Sequence, residues 1–218
     1  MTSRTRTRRS APAPAFHRRR VPWLWVSLAG VVAVLLIVAV VSGGDPAPAP
    51  DAGLAQTRPV TVAGATLAPY GTGTDPAVGS PGPELRGASF DGSPVTVTRD
   101  GRGKLLVFLA HWCPHCRREV PVVVDHLRGS PLPANVDLVG IATGASRSRP
   151  NYPPSRWLSG EGWTAPVLAD SEDGAAAKAY GLTGFPFFVA LDASGNVVAR
   201  ASGELTAEQL DALVAAVS

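Results

Sequence analysis

The chain has 218 residues, with 20 Lys and Arg against 17 Asp and Glu, 45% hydrophobic residues and only two cysteines. That length admits one domain of ordinary size, and a single cysteine pair excludes a small scaffold stapled by several disulfides. The formal charge of +3 does not argue for nucleic acid: seven arginines lie within residues 1–20, and without them 13 basic residues face 17 acidic ones, a net −4 for residues 42–218.

Residues 1–20 form a basic tail without a single acid. Val21 to Val41 follows as an uncharged apolar run of 21 residues, long enough to cross a bilayer as a helix. Arginines on its N-terminal flank keep the tail in the cytoplasm and deliver the rest of the chain outside. The run is longer than a usual signal-peptide core and lacks a clear small-x-small cleavage site, so the expectation is an uncleaved single-pass anchor in the cell membrane. Trp23 and Trp25 suit an interfacial belt. Residues 42–75 are expected to be a Pro-, Ala- and Gly-rich spacer and an irregular lead-in, with one short strand at Val60-Thr61-Val62. The folded domain is then expected over 76–218.

Within that domain strand-like and helix-like runs alternate. Val95 to Thr98 reads as an edge strand by alternation, and Leu105 to Leu109 as a buried strand by continuity. The second strand leads straight into Ala110-His111-Trp112-Cys113-Pro114-His115-Cys116, which holds both cysteines. Val120, Val123, Val124 and Leu127 mark the buried stripe of a helix over 114–128, with Gly129 as its stop and Pro121 as a kink. Pro114 suits the first helical position, where a missing N–H costs nothing.

A Cys-x-x-Cys at a helix start puts both thiols on one face, close enough for a disulfide. The orphan N–H groups and the positive end of the helix dipole favour an anion there, so Cys113 is expected to ionise more readily than a free thiol and to be the attacking sulfur. A zinc site wants four ligands, and the chain has no second Cys-x-x-Cys and no His-x3-5-His pair. Covalent haem attachment needs His at 117, which is Arg. A structural disulfide stays open, although so short a loop would constrain the unfolded chain little. Capture of copper or zinc by Cys113, Cys116 and a nearby His is the alternative from a different class. His115, between the cysteines, can stabilise the Cys113 thiolate by charge or hydrogen bonding. His111 and His126 read as surface or supporting residues, and Trp112 as packing over the rim.

Further along, Val136 to Ala142 is a buried strand, followed by the polar, Pro-rich stretch Ser146 to Pro154. A short helix follows around Ser155 to Gly160, then a strand at Val167 to Ala169 and an Ala-rich helix at Asp173 to Tyr180. Phe187 to Leu191 and Val197 to Ala201 are strands joined by the turn signal Asp192-Ala193-Ser194-Gly195-Asn196. In the last helix Thr206 caps, Gln209 completes a capping box, Leu205 against Leu210 forms a staple, and Leu210, Leu213, Val214 and Val217 line the buried stripe. The order describes an α/β domain with a central mixed sheet and helices on both faces, and a redox Cys-x-x-Cys ending a buried strand points to the thioredoxin-like fold.

Over 76–218 the chain resembles the membrane-anchored thioredoxin-like proteins of bacteria, the TlpA/ResA-like group. The resemblance rests on Val78-Gly79-Ser80-Pro81, Phe90-Asp91-Gly92, the strand into Trp112-Cys113-Pro114-His115-Cys116, Glu119, Pro121, Leu182-Thr183-Gly184-Phe185-Pro186 and the final hairpin. It implies a thiol-disulfide oxidoreductase with no bound cofactor beyond its Cys113–Cys116 redox pair. It implies that Pro186 is the family's cis-proline opposite the sulfurs, leaving the Phe185 backbone free to pair with an incoming chain. Phe185 departs from the smaller or β-branched residue usual there and is expected to narrow the groove. Glu119 matches the acid that relays protons to the second thiol. Spacing alone would equally suit a solvated carboxylate beside Arg117 and Arg118, and the buried acid of thioredoxin itself would fall at Val107. The implied partners are exported cysteine-containing proteins, either an apocytochrome c to be reduced or a folding protein to be oxidised, and a membrane redox partner. Pro-His between the cysteines leans toward oxidation, as in DsbA-type enzymes, while the anchored architecture leans toward reduction; the direction stays open.

Overall fold

The structure, a computed structural model, describes residues 54–217. The apolar run 21–41, the basic tail and most of the spacer lie outside those residues. Among the described residues no helix is long and apolar enough to cross a membrane.

Among the described residues eight strands and four helices occur in the order β1 (Thr61–Ala63), β2 (Glu84–Ala88), β3 (Pro94–Val97), β4 (Gly103–Leu109), α1 (Pro114–Gly129), β5 (Val136–Ala142), α2 (Pro154–Gly160), β6 (Val167–Ala169), α3 (Ala175–Ala179), β7 (Phe187–Leu191), β8 (Val197–Ser202) and α4 (Ala207–Val217). The main sheet has the order β6-β5-β4-β7-β8. Its β4/β5 and β5/β6 pairs are parallel and its β4/β7 and β7/β8 pairs antiparallel, which makes it the mixed sheet expected.

The central strand β4 is buried at all seven positions, because both of its faces are covered. Since side chains alternate across a strand, Leu105, Val107 and Leu109 face one cluster with Val120 and Val123 of α1, Trp157 and Leu158 of α2, and Leu210, Leu213 and Val217 of α4. Leu106 and Phe108 face the other, with Ala176 and Ala179 of α3 and Leu85, Val95 and Val97 of a separate antiparallel sheet, β1-β2-β3. Gly103 at the start of β4 has to be glycine: a Cβ there would stand 2.1 Å from the Val217 carbonyl oxygen. The capping box of α4 is present, Thr206 N donating to Gln209 Oε1 at 2.8 Å and Gln209 N to Thr206 Oγ1 at 3.3 Å.

Two expectations change. Strand β2 was not legible, since Glu-Leu-Arg-Gly-Ala has one buried apolar residue, Leu85, and no alternation; pairing with β1 and β3 makes it a strand. The irregular lead-in before residue 76 is packed against the domain rather than lying outside it. Leu67 is buried, β1 pairs with β2, and Asp75 meets the fully buried Arg200 side chain of β8. Arg200 also donates through Nη1 to the carbonyls of Ala68 and Tyr180, each at 2.9 Å, and its guanidinium lies 5.5 Å from the Tyr70 ring centre. The packed body therefore begins N-terminal to the expected boundary. At the end of α1, Gly129 is the last helical residue and Ser130 the C-cap.

Candidate functional site: a thiol pair at the mouth of α1

The buried strand β4 aims the chain at the site, and the turn after it starts α1 at once. Cys113 is the N-cap, in extended conformation, with Pro114 at the first helical position. Its N–H donates to the Ala110 carbonyl at 3.0 Å, and its carbonyl accepts from Arg117 N at 3.2 Å. Cys116 lies one turn further on, so both sulfurs share a helix face. Both are free thiols, Cys113 7% exposed and Cys116 fully buried. The outer sulfur is the one that can meet a partner.

Glu119, a further turn along, has only 2% of its surface exposed, which removes the reading of a solvated carboxylate beside Arg117 and Arg118. Among the described residues its donor is a single backbone group, Leu205 N–H, 3.2 Å from each carboxylate oxygen. Burial outweighs that one donor and pushes the Glu119 carboxyl above the ordinary range, and the nearby Glu204 adds to the rise. Burial likewise pushes the Cys116 thiol well above the usual cysteine range, with Cys113 and Glu119 adding to it. An acid whose proton affinity is raised by burial, near a thiol reluctant to ionise, is an arrangement suited to moving a proton between them.

His115 is exposed at the mouth, but its Nδ1 is engaged away from the sulfur: it donates to Glu204 Oε1 at 2.6 Å. Arg118 converges on the same carboxylate, Nε at 3.1 and 3.2 Å from its two oxygens, with Nη2 also bonded to Oε1 and 2.9 Å from His115 Nδ1. The two partners hold the Glu204 carboxyl below its usual range. His115 Nδ1 is thus taken up in a triad with Glu204 and Arg118 rather than left for the thiolate. Sequence reasoning missed Glu204, which is 86 or more positions from its partners; the only local clue was an acid just before the α4 capping box.

The loop before β7 closes the other side. The Phe185–Pro186 peptide is cis, and Cys113 Sγ donates to the Phe185 carbonyl at 3.9 Å. The Phe185 ring meets Trp112 edge to face at 5.7 Å, and Trp112 Nε1 donates to the Gly144 carbonyl at 2.8 Å. Cys113, Cys116, Glu119, Trp112, Phe185 and Pro186, scattered over 75 positions, therefore meet at one end of the sheet.

His111 is buried rather than on the surface. Its Nδ1 lies 2.7 Å from the Pro150 carbonyl, and its Nε2 accepts from Ser146 N at 3.1 Å; a carbonyl only accepts and an amide only donates, so the ring is neutral with hydrogen on Nδ1. Burial lowers its pKa. With both nitrogens committed to the 143–153 loop, His111 is not offered to the sulfurs as a metal ligand. Among the described residues no group of three or more His, Cys, Asp or Glu is placed to hold a metal ion.

A mixed sheet with a Cys-x-x-Cys at the junction of its central strand and first helix, faced by a cis-proline loop, defines a thioredoxin-like protein with a dithiol centre. The chain belongs to the Redoxin family, whose model matches residues 77–216. It is 27% identical to the thiol-disulfide oxidoreductase ResA of Geobacillus thermodenitrificans over 135 residues, 62% of this chain and 74% of that protein. Nucleoredoxin of Bos taurus is 30% identical over 126 residues, 57% of this chain; the match spans about a quarter, 26%, of that longer relative. Among solved structures, a thiol:disulfide interchange protein of the thioredoxin family from Chlorobium tepidum superposes with a TM-score of 0.52 at 27% identity, covering 66% of this chain and 99% of that one.

Proposed function

We propose that the protein is a membrane-anchored thiol-disulfide oxidoreductase whose domain works outside the cytoplasm on exported cysteine-containing proteins. The observation that carries this reading is the asymmetry of the thiol pair: an outer Cys113 at a helix mouth, an inner Cys116 with no exposure, and a buried acid one turn beyond. Resemblance to ResA supports the class of reaction. The apolar run 21–41 supports the location.

In the reducing direction the Cys113 thiolate attacks a client disulfide. The Cys113–client bond forms, and the other client sulfur leaves as a thiolate and takes up a proton. Cys116 then gives its proton to Glu119 and attacks Cys113 Sγ, expelling the second client thiolate and forming the Cys113–Cys116 disulfide. The second client thiolate takes up the proton left on Glu119, while the first draws its proton from solvent, so two electrons and one proton pass from the protein to the client, and a membrane redox partner restores the reduced pair. The same steps reversed oxidise a client dithiol. Phe185 and Pro186 flank the attacked sulfur, and the Phe185 backbone is the proposed place for an extended client segment to pair. Trp112 walls the groove, and His115 with Pro114 tunes the outer thiol.

The test is capture. Cys116→Ser in the full-length chain is expected to accumulate mixed disulfides with exported proteins that dithiothreitol releases, while Cys113→Ser captures none. A Cys116→Ser protein that traps nothing in cells carrying exported cysteine proteins contradicts the exchange mechanism.

A further inference from the structure

Beyond the thiols, the strongest unassigned feature is the 143–153 loop. It is held to the segment before Cys113 at four points: Trp112 Nε1 to the Gly144 carbonyl, Ser146 N to His111 Nε2, His111 Nδ1 to the Pro150 carbonyl, and Asn151 Nδ2 to the His111 carbonyl at 2.9 Å. So tethered, it presents two exposed arginines against aromatic faces. The Arg149 guanidinium lies 4.8 Å from the Trp112 ring and that of Arg147 5.2 Å from the Tyr152 ring. Tyr152 in turn meets His111 edge to face at 5.8 Å.

The placement is specific. Arg149 rests on Trp112, Trp112 on Phe185, and the Phe185 carbonyl faces Cys113 Sγ, so Arg149 borders the surface a client must cover to reach the sulfur, and Arg147 stands two residues before it on the same tethered loop. Neither is paired with a carboxylate among the described residues, whereas Arg118 on the helix side of the mouth is neutralised by Glu204. Residues 42–218 as a whole carry 17 acids against 13 basic residues, so an unneutralised pair of arginines runs against the character of the domain. Stacking keeps each guanidinium in place with its donors free at the edges, the arrangement that favours planar carboxylates.

We propose that Arg149 and Arg147 form a client-selection ledge that recognises Asp or Glu side chains flanking the client cysteine. This deepens the exchange reading and rests on it. The arginines act by binding the client segment and take no part in the electron transfer.

The experiment uses the reduced full-length chain in neutral detergent micelles and three synthetic disulfide peptides that differ only in flanking residues: aspartates, asparagines or lysines. Second-order exchange rate constants are measured by stopped-flow at low and high salt. The expected result is that the aspartate peptide reacts about three- to tenfold faster than the asparagine peptide at low salt, the range that one or two exposed charge pairs provide. The lysine peptide is expected to be slowest. The aspartate-to-asparagine ratio is expected to fall toward one at about 1 M salt and to one or below in Arg147→Glu/Arg149→Glu. Arg149→Lys, which keeps the charge and loses the fork, should retain part of the preference. Equal rates for the three peptides, or a preference that survives the double substitution, overturns the ledge while leaving exchange intact. No exchange with any peptide or with uncharged dithiodipyridine overturns both.

Discussion

Glu119→Gln separates the proton-relay role from a merely structural one. In the folded protein the carboxylate has lost nearly all contact with water and gained one backbone donor, Leu205 N–H. A hydrogen bond to a charged group contributes about 1.5–3 kcal/mol, whereas burying an ion costs several kcal/mol even after relaxation. The cost wins, which is why the carboxyl pKa is raised. For an acid raised on folding, the stabilising contribution is fully present below the ordinary carboxylate range and is lost as pH rises through the folded value. The amide keeps an oxygen for Leu205 N–H but carries no charge. Glu119→Gln is therefore expected to match wild type within about 0.5 kcal/mol near pH 4 and to be more stable by roughly 1 kcal/mol at pH 8, where wild type holds an ill-solvated carboxylate. Urea unfolding followed by tryptophan fluorescence at the two pH values measures this. Resolution of a preformed Cys113 mixed disulfide by Cys116 is expected to slow about 100-fold near pH 7, the lower end of general acid–base contributions. Stability curves that run parallel with pH, or an unchanged resolution rate, would refute the reasoning.

Asp75→Asn leaves the Arg200 guanidinium buried without its counter-charge, with an expected loss of about 3–5 kcal/mol; thermal or denaturant unfolding reads it, and a loss below about 1 kcal/mol would show that Asp75 does not anchor the lead-in. Glu204→Gln releases His115 and Arg118 from their shared carboxylate and leaves more positive charge at the mouth, so the dithiol couple is expected to become more oxidising by about 10–30 mV in a glutathione titration. A shift in the reducing direction contradicts the triad's role. His111 has its pKa lowered on folding, so its contribution is complete above the ordinary histidine value of about 6.5 and is lost as pH falls through the folded value. Protonation fills Nε2, the acceptor of Ser146 N–H. Hydrogen exchange of the 144–151 amides, corrected for intrinsic pH dependence, is expected to lose protection as pH falls below the ordinary histidine value, before global acid unfolding; protection that stays constant until the whole domain unfolds contradicts the tether.

Local physics was enough for most of the elements. The unbroken apolar run Leu105 to Leu109 could only be a strand covered on both faces, and Thr206 with Gln209 marked the start of α4 without reference to anything distant. The two-residue spacing of Cys113 and Cys116 at a Pro-marked helix start carried the dithiol chemistry by itself, because helix geometry alone brings those sulfurs together. Resemblance to a known group drew attention to Glu119 and Pro186, where spacing and composition left plain alternatives standing.

Tertiary structure decided what depends on partners far along the chain. Glu119 is buried because Leu205 and the approach to α4 lie over it, something no neighbour of Glu119 encodes. His115 is drawn to Glu204, and His111 is sealed under a loop whose sequence reads only as polar and Pro-rich. β2 is a strand because β1 and β3 bracket it, and the lead-in is packed because Arg200 on β8 needs Asp75. The sequence determined which groups can do chemistry, through spacing and helix geometry; the fold determined their ionisation and exposure, because desolvation and long-range hydrogen bonds exist only once distant segments meet.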